Sequence, residues 1–211
     1  MSKILFGAAV VLALQTAPAP ISLPVQNGDF EAPVEIVGSD PCGARAYRVP
    51  GWNMGAGSGV LQMTVPNPCD LPAPNGQQVA YAGYGSTFYQ DTVIKASDLQ
   101  AVYPSEGVYT LQFSVVGYFH SYPAGYYEAK LLLGTDPGHE LCETAGWGTQ
   151  SWRKVTLTCP SPKYLVFQRW PNNVPGIDYA TFDPNAHLVI SFTGQGWPML
   201  FDDVSLTFEP Q

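Results

Sequence analysis

Short runs of alternating apolar and polar residues, separated by turns rich in glycine and proline, make up most of the chain after residue 22. This period-two pattern, with Val, Thr, Tyr and Phe enriched in the runs, predicts β-strands and few if any helices. The regular spacing of the strands predicts an all-β fold, a β-sandwich or jelly roll of two antiparallel sheets, as a single domain over residues 22–211. The predicted strands are Gly28–Glu31, Val60–Thr64, Gln78–Ala82, Ser86–Gln90, Tyr109–Tyr118, Tyr126–Leu133, Arg153–Thr158, Tyr164–Trp170, His187–Thr193 and Phe201–Phe208.

The charge balance excludes one class of partner. The chain carries 17 acidic and 9 basic residues, which gives a formal net charge of -8. Proteins that bind nucleic acids need a basic surface that neutralises phosphate groups, and this chain has no such excess of basic residues. We therefore expect no nucleic-acid partner.

Residues 1–21 have the pattern of a secretory signal peptide. Lys3 precedes the apolar run Ile4–Leu14, and the small residues of Thr16–Ala19 follow it. The run is shorter than the roughly 20 residues that span a bilayer, so we expect cleavage, with an uncleaved N-terminal anchor as the alternative. Because no other stretch approaches that length, we expect an exported protein, periplasmic or secreted, with no stable membrane span after cleavage.

Export would allow the four cysteines to form disulfides. Cys42, Cys69, Cys142 and Cys159 contain no C-x-x-C pair, which argues against zinc. Three pairings exist for four cysteines. We favour Cys42–Cys69 and Cys142–Cys159, because each would join neighbouring loops or the two arms of a hairpin.

The predicted last strand carries the clearest candidate for acid chemistry. Strict alternation puts Asp202 on one face and Asp203 on the other. The face of Asp202 is otherwise apolar, with Val204, Leu206 and Phe208. Burial raises the pKa of a carboxyl group, which would make Asp202 a general acid near neutral pH. The alternative is that Asp202 binds backbone amides or a metal ion at the edge of the strand.

The predicted first strand carries candidate ligands for a cation. If Phe30 points inward, Asn27, Asp29 and Glu31 face outward together. Should this strand lie beside Asp203, carboxylate and amide oxygens would gather in the way that suits Ca²⁺. The alternative is a solvated edge that resists aggregation, and the spacing leaves both open.

Four short motifs follow one another along the chain, namely Asn27-Gly28-Asp29-Phe30-Glu31, Pro50-Gly51-Trp52, Tyr109-Thr110-Leu111-Gln112-Phe113 and Phe201-Asp202-Asp203-Val204-Ser205-Leu206. In this order they resemble the galactose-binding-like jelly roll of calcium-dependent carbohydrate-binding modules. That resemblance implies that Ca²⁺ binds between the first and last strands, near Asn27, Glu31 and the Asp202–Asp203 pair, with Asn27, Glu31 and Asp203 as its ligands.

A single module of this size also resembles the Stig cyclases, the calcium-dependent enzymes of hapalindole- and fischerindole-type indole alkaloid biosynthesis in cyanobacteria. These enzymes take a geranylated isocyanovinyl indolenine through a Cope rearrangement, a cation-forming ring closure and a final carbon–carbon bond. The resemblance implies that Asp202 is the acid that promotes the rearrangement and that Tyr89 and Tyr126 line the substrate pocket. A homodimer, or a mixed oligomer with related cyclases, is compatible with exposed aromatic residues on such a sandwich.

Two other functions stay open. A secreted calcium-dependent carbohydrate-binding module would present exposed tryptophans, and an adhesion domain would need only the fold and the disulfides. A closed apolar cavity around Asp202 would favour the cyclase, whereas an open groove that bears a tryptophan would favour sugar binding. For Tyr89 or Tyr126 taken alone, ordinary packing on a half-buried strand is the alternative. The candidate tryptophans are Trp147, Trp152, Trp170 and Trp197.

Overall fold

A computed structural model describes residues 19–32, 38–40, 43–63, 72–95, 97–98, 107–118, 125–134, 140–161 and 186–211. The predicted strand Tyr164–Trp170, residues 1–18 and the cysteine pair Cys42–Cys69 lie outside the described residues. The strands that the structure describes are β1 (Ile21–Leu23), β2 (Gly38–Asp40), β3 (Gly43–Ala46), β4 (Asn53–Met54), β5 (Ser58–Met63), β6 (Gln78–Ala82), β7 (Ser86–Lys95), β8 (Gly107–Gly117), β9 (Gly125–Leu133), β10 (Glu140–Trp147), β11 (Arg153–Pro160), β12 (His187–Gly196) and β13 (Met199–Pro210).

These strands form two antiparallel sheets, which confirms the predicted β-sandwich. The first sheet has eight strands in the order β11-β8-β13-β6-β5-β3-β2, with β1 paired to β13. The second has five strands in the order β10-β9-β12-β7-β4. Among the described residues, no helix is long and apolar enough to cross a bilayer.

The inner faces of the two sheets meet in a core with an aromatic centre. Phe88 and Phe192 of the five-stranded sheet stack with their ring centroids 5.2 Å apart, and Phe201 of the eight-stranded sheet lies 5.0 Å from Phe192. Phe30 and Trp52, 5.1 Å apart, complete this cluster from the loops. All five side chains are buried, so the period-two apolar positions bring the two sheets together.

One of the two predicted disulfides lies within the described residues, and the structure confirms it. Cys142 in β10 and Cys159 in β11 form a disulfide across a sequence separation of 17 residues. These two strands are the outer strands of different sheets, so the bond ties one edge of the sandwich together.

The predicted strand Gly28–Glu31 is wrong, because residues 27–30 form a turn. Asn27 and Phe30 have φ angles of 50° and 56°, which lie in the left-handed region and cannot continue a strand. The amide of Phe30 donates to the carbonyl oxygen of Asn27 at 3.2 Å and closes the turn. Phe30 is buried as expected, but Asn27, Asp29 and Glu31 do not share a strand face.

A β-bulge corrects the predicted facing of the last strand. The register of β13 on β8 shifts by one residue between Asp202 and Ser205, and Asp203 has a φ of 52°. Phe201 and Val204 therefore both belong to the core between the sheets. Asp202, between Phe201 and the bulge, lies on the outer face of the eight-stranded sheet and does not share a face with Val204.

The turn and the bulge dock directly on each other. The amide of Val204 donates to the carbonyl oxygen of Gly28 at 2.8 Å. A Cβ atom at Gly28 would collide with the carbonyl oxygen of Val204, which is backbone and cannot swing away. Only glycine therefore allows this approach.

We expect the substitution Gly28→Ala to destabilise the protein by about 2 kcal/mol or more, because the added methyl group forces the turn off the bulge. Urea unfolding at equilibrium measures this change. Gly38→Ala is the matched control, since nothing lies within 4 Å of a Cβ at Gly38. Equal stabilities of the two variants would contradict the docking of the turn on the bulge.

Candidate functional site

Asp202 is a fully buried carboxyl group held by two backbone amides. Its Oδ1 accepts from the amide of Asp203 at 2.8 Å, and its Oδ2 accepts from the amide of Asn75 at 3.3 Å. Burial raises the pKa of Asp202 to about 8, and the negative charges of Asp203 and Glu31 add to that effect, whereas the two amide hydrogen bonds oppose it. In the absence of a bound cation, Asp202 therefore keeps its proton at neutral pH.

The carboxylate of Glu31 binds the same loop as Asp202. Its Oε1 accepts from the backbone amides of Gln77 at 2.7 Å and Gln78 at 2.6 Å. The side chain of Gln78 is 8% exposed, and its Oε1 is buried without a hydrogen-bond partner. An unpaired buried acceptor is unfavourable and is expected where a ligand binds. We call Glu31 and Asp202, together with the backbone of residues 75–78 that binds both of them, the carboxylate site.

Asn27, a predicted metal ligand, uses both ends of its side-chain amide within the fold. Its Oδ1 accepts from the amide of Ala32 at 2.9 Å, and its Nδ2 donates to the carbonyl oxygen of Pro50 at 3.2 Å. These bonds stabilise the turn at residues 27–30. The structure thus shows the Asn27 side chain in hydrogen bonds within the fold, whereas the sequence predicted that it binds a cation.

Asp203 is another predicted ligand. Its Oδ2 accepts from the hydroxyl of Ser114 at 3.4 Å, and it borders an open depression with Asn27, Asp29 and Lys154. The structure thus places Asp203 beside Asn27 and Asp29, whereas the charge of Glu31 acts on Asp202. No cluster of three or more His, Cys, Asp or Glu side chains suited to a metal occurs in the part of the chain that the structure describes.

Tyr89 and Tyr126 lie on the outer face of the five-stranded sheet. Tyr89 lines an open groove of about 400 Å³, which we call the tyrosine groove and which crosses β7, β12 and β9. Tyr126 shares that face and packs edge-on against Trp147, with ring centroids 5.4 Å apart. Trp147 is 65% exposed, so an accessible aromatic pair lies on the same face as the groove.

The tyrosine groove contains a strongly acidic cluster around one lysine. The Nζ of Lys130 lies 2.9 Å from Glu140, 3.1 Å from Glu143 and 4.0 Å from Glu128. The hydrogen bond to Glu140 is the main reason why the pKa of Lys130 is raised. Three carboxylates against one ammonium group leave a negative field that favours a cationic ligand or intermediate.

Asp202 and the two tyrosines do not share a pocket. They lie on opposite outer faces of the sandwich, separated by a core about 10 Å thick. Asp202 does not line the groove that contains Tyr89. The predicted cavity that combines Asp202, Tyr89 and Tyr126 is therefore not the arrangement found, because Asp202 belongs to the eight-stranded sheet and the tyrosines to the other.

Neither Gln78 nor the cluster around Lys130 was predicted from the sequence as part of a site. Alternation along β9 places Tyr126, Glu128 and Lys130 on one face, so the period-two rule could have identified part of the groove. Gln78 carries no such signal, because its role depends on a loop contact with Glu31.

Comparison with solved structures identifies the fold. The crystal structure of the Stig cyclase Fisc from Fischerella sp. TAU, in complex with (3Z)-3-(1-methyl-2-pyrrolidinylidene)-3H-indole, has a TM-score of 0.52 and 22% identity and covers 91% of this chain and 99% of its own. An apo cyclase from Fischerella sp. has a TM-score of 0.53 and 21% identity, covering 90% and 97%. A cyclase from Fischerella sp. TAU in complex with 4-(1H-Indol-3-yl)butan-2-one has a TM-score of 0.50 and 22% identity, covering 90% and 98%.

These similarities establish that the chain has the jelly-roll fold found in Stig cyclases. The identity of 21–22% supports the fold and leaves activity to be tested. No protein-family model and no curated protein matches the chain.

The pKa of Asp202 predicts how stability depends on pH in the metal-free protein. Its folded value of about 8 exceeds its ordinary value of 3.8, so between these pH values the folded state keeps a proton that the unfolded state releases. The free energy of unfolding should therefore fall as pH rises from about 4 to 8, by roughly 3 to 5 kcal/mol from this group. Urea unfolding in the presence of EDTA, at several pH values, measures the slope.

Asp202→Asn should flatten that slope, because the amide does not titrate. Asp29→Asn is the control, since Asp29 does not contribute to the pKa shift of Asp202. A parent protein whose stability stays constant over this pH range would show that Asp202 is ionised when buried.

Proposed function

We propose that the protein is a calcium-dependent cyclase of the Stig type, which converts a geranylated isocyanovinyl indolenine into a hapalindole- or fischerindole-type ring system. The observation that carries this proposal is the Stig-cyclase fold over about nine tenths of the chain. The placement of Tyr89 and Tyr126 on one face adds support, because the resemblance in sequence implies that both positions contact the substrate. Two of the similar cyclases hold indole ligands.

The tyrosine groove offers the chemistry that a cation cyclisation needs. The ring of Tyr89 lines the groove and presents an electron-rich face to a carbocation, and Tyr126 lies on the same outer face of the sheet. Glu140, which is ion-paired with Lys130, places negative charge beside the carbocation. An intermediate that develops positive charge is therefore favoured over its neutral precursor in this groove.

The groove also restricts which carboxyl group can act as the acid. Glu128 borders the groove and lies farther from Lys130 than Glu140 does, so it is the acid that we propose for a substrate bound there. Asp202 carries a proton at neutral pH, but the core separates it from the groove. For Asp202 we therefore propose cation binding in place of proton donation.

The carboxylate site fits Ca²⁺. Glu31 and Asp202 supply carboxylate oxygens. Hard oxygen ligands of this kind are what Ca²⁺ prefers. A bound Ca²⁺ would balance the charges of Glu31 and Asp202 and link the end of the N-terminal turn to the last strand.

Export of the protein, to the periplasm or the medium, is part of the proposal. The Cys142–Cys159 disulfide supports it, because disulfides form and persist in oxidising compartments. Extracellular modules also meet calcium at concentrations that weak sites can use.

A second function, binding of carbohydrate without catalysis, is favoured by one observation. The tyrosine groove is open to solvent, and Trp147 and Tyr126 form an exposed aromatic pair on the same face. Exposed aromatic rings stack on the apolar faces of sugars. The activity assay below separates the two functions.

We expect purified protein with Ca²⁺ to convert the indolenine into tricyclic or tetracyclic products, detected by mass spectrometry. Glu128→Gln should lower kcat by about 100-fold or more, because an amide cannot donate the proton. Glu140→Gln should lower kcat by about tenfold, because it removes negative charge beside the cation. Glu143→Gln is the matched control, since Glu143 contacts Lys130 but does not line the groove.

Each outcome of this assay supports a different assignment of the acid or of the function. Loss of product with Asp202→Asn, while Glu128→Gln stays active, would return the acid role to Asp202. No product from folded, calcium-loaded protein would overturn the cyclase. Binding of a neutral oligosaccharide that Trp147→Ala abolishes would then establish the second function.

Calcium binding is expected at one site per chain, with Glu31→Gln weakening it by at least about tenfold because a charged ligand is lost. Titration calorimetry measures the affinity, and the unfolding temperature with and without Ca²⁺ gives an independent readout. Asp29→Asn is the control, because Asp29 lies in the same turn outside the carboxylate site. Unchanged affinity in Glu31→Gln would rule out calcium at this site.

A further inference from the structure

A second groove lies on the outer face of the eight-stranded sheet. It has a volume of about 510 Å³ and is lined by Arg45, Tyr47, Tyr81 and Tyr84, with Pro198 and residues 54–57. We call it the Arg45 groove. The tyrosine groove lies on the other sheet, so the two grooves are separate.

Aromatic side chains are unusually exposed at the Arg45 groove. Tyr47 is 49% exposed and Tyr84 is 76% exposed, and they are two of the five large exposed hydrophobic side chains in the described part of the chain. Such side chains clustered around one concavity mark a binding surface, whereas isolated ones do not.

The backbone conformation of Tyr84 is unfavourable for a tyrosine, and its ring does little to stabilise the fold. Tyr84 has a φ of 58° in the turn before Gly85, which has a φ of 82°. The amide of Tyr84 donates to the carbonyl oxygen of Gly196 at 3.0 Å, which holds the turn in this conformation. A tyrosine there costs about 1 kcal/mol relative to glycine, and its exposed ring makes little contact that offsets this cost.

Arg45 is held at the groove by stacking on a tyrosine. Its Cζ lies 5.4 Å from the centroid of the Tyr81 ring, within the range of a cation–π contact. Gly59, which pairs with Tyr81 across the sheet, leaves room for that ring, because a Cβ at Gly59 would lie 3.0 Å from Tyr81 Cε1. The glycine thus allows a guanidinium and an aromatic ring to meet at the groove.

These observations define the ligand by its chemistry. Tyrosine rings stack on the apolar C–H face of a sugar, and a guanidinium binds a carboxylate through two parallel hydrogen bonds. We propose that the Arg45 groove binds a saccharide that carries a uronic acid, with the carboxylate at Arg45 and the sugar ring against Tyr47 and Tyr84. In a chain with a net charge of -8, attraction of this anion depends on that local arginine.

The test is a titration with a trisaccharide of galacturonic acid, followed by calorimetry. Tyr84→Gly should weaken binding about tenfold through loss of the stacked ring, and glycine suits the backbone of that position. Arg45→Met should weaken it about tenfold or more, because the carboxylate loses its partner. The fully methyl-esterified trisaccharide should bind about tenfold more weakly than the acid.

Val93→Gly is the matched control, since Val93 is 72% exposed with a φ of 57° but lies in β7 of the other sheet. It should bind the acid as the parent does, and so should Tyr89→Ala, which separates this proposal from the cyclase. No binding at millimolar concentration, equal binding of acid and ester, or full binding by Tyr84→Gly would each overturn the proposal.

Discussion

The docking of the N-terminal turn on the bulge of β13 is the contact on which the site depends. The hydrogen bond from the Val204 amide to Gly28 places the chain so that Glu31 reaches the loop at residues 75–78. The bulge itself directs Asp202 out of the core and Val204 into it. Without that extra residue, Phe201 and Val204 could not both face the core, because strict alternation puts them on opposite faces of the strand.

Much of the fold follows from alternation, and the exceptions have physical causes. The predicted strand Gln78–Ala82 matches β6 exactly in its bounds, and Tyr109–Tyr118 falls almost entirely within β8. β10 was not predicted, because its edge position leaves it largely uncovered and its sequence shows no apolar row. The bulge at Asp203 could not be predicted from the alternation, because strict alternation assumes an unbroken ladder of paired strand residues.

The candidate site also has one part that alternation predicts and one part that it does not. Tyr89 and Tyr126 share a face because both are outward positions of strands that flank β12, which is a consequence of the period-two rule. The carboxylate site joins residues that are far apart in sequence, as Asn75 and Asp202 are 127 residues apart. Such a contact between a loop and a strand has no signature in periodicity, so the sequence could indicate the carboxylates but not which of them meet.

The two grooves differ in the charge that they present. Around Lys130 three carboxylates outnumber one ammonium group, whereas the Arg45 groove presents a guanidinium among tyrosines. The first groove favours binding of a cation and the second favours binding of an anion, so we expect them to bind different ligands. Since the grooves are built on different sheets across a core about 10 Å thick, substitutions in one should leave the other intact. The function of this fold therefore has to be assigned groove by groove.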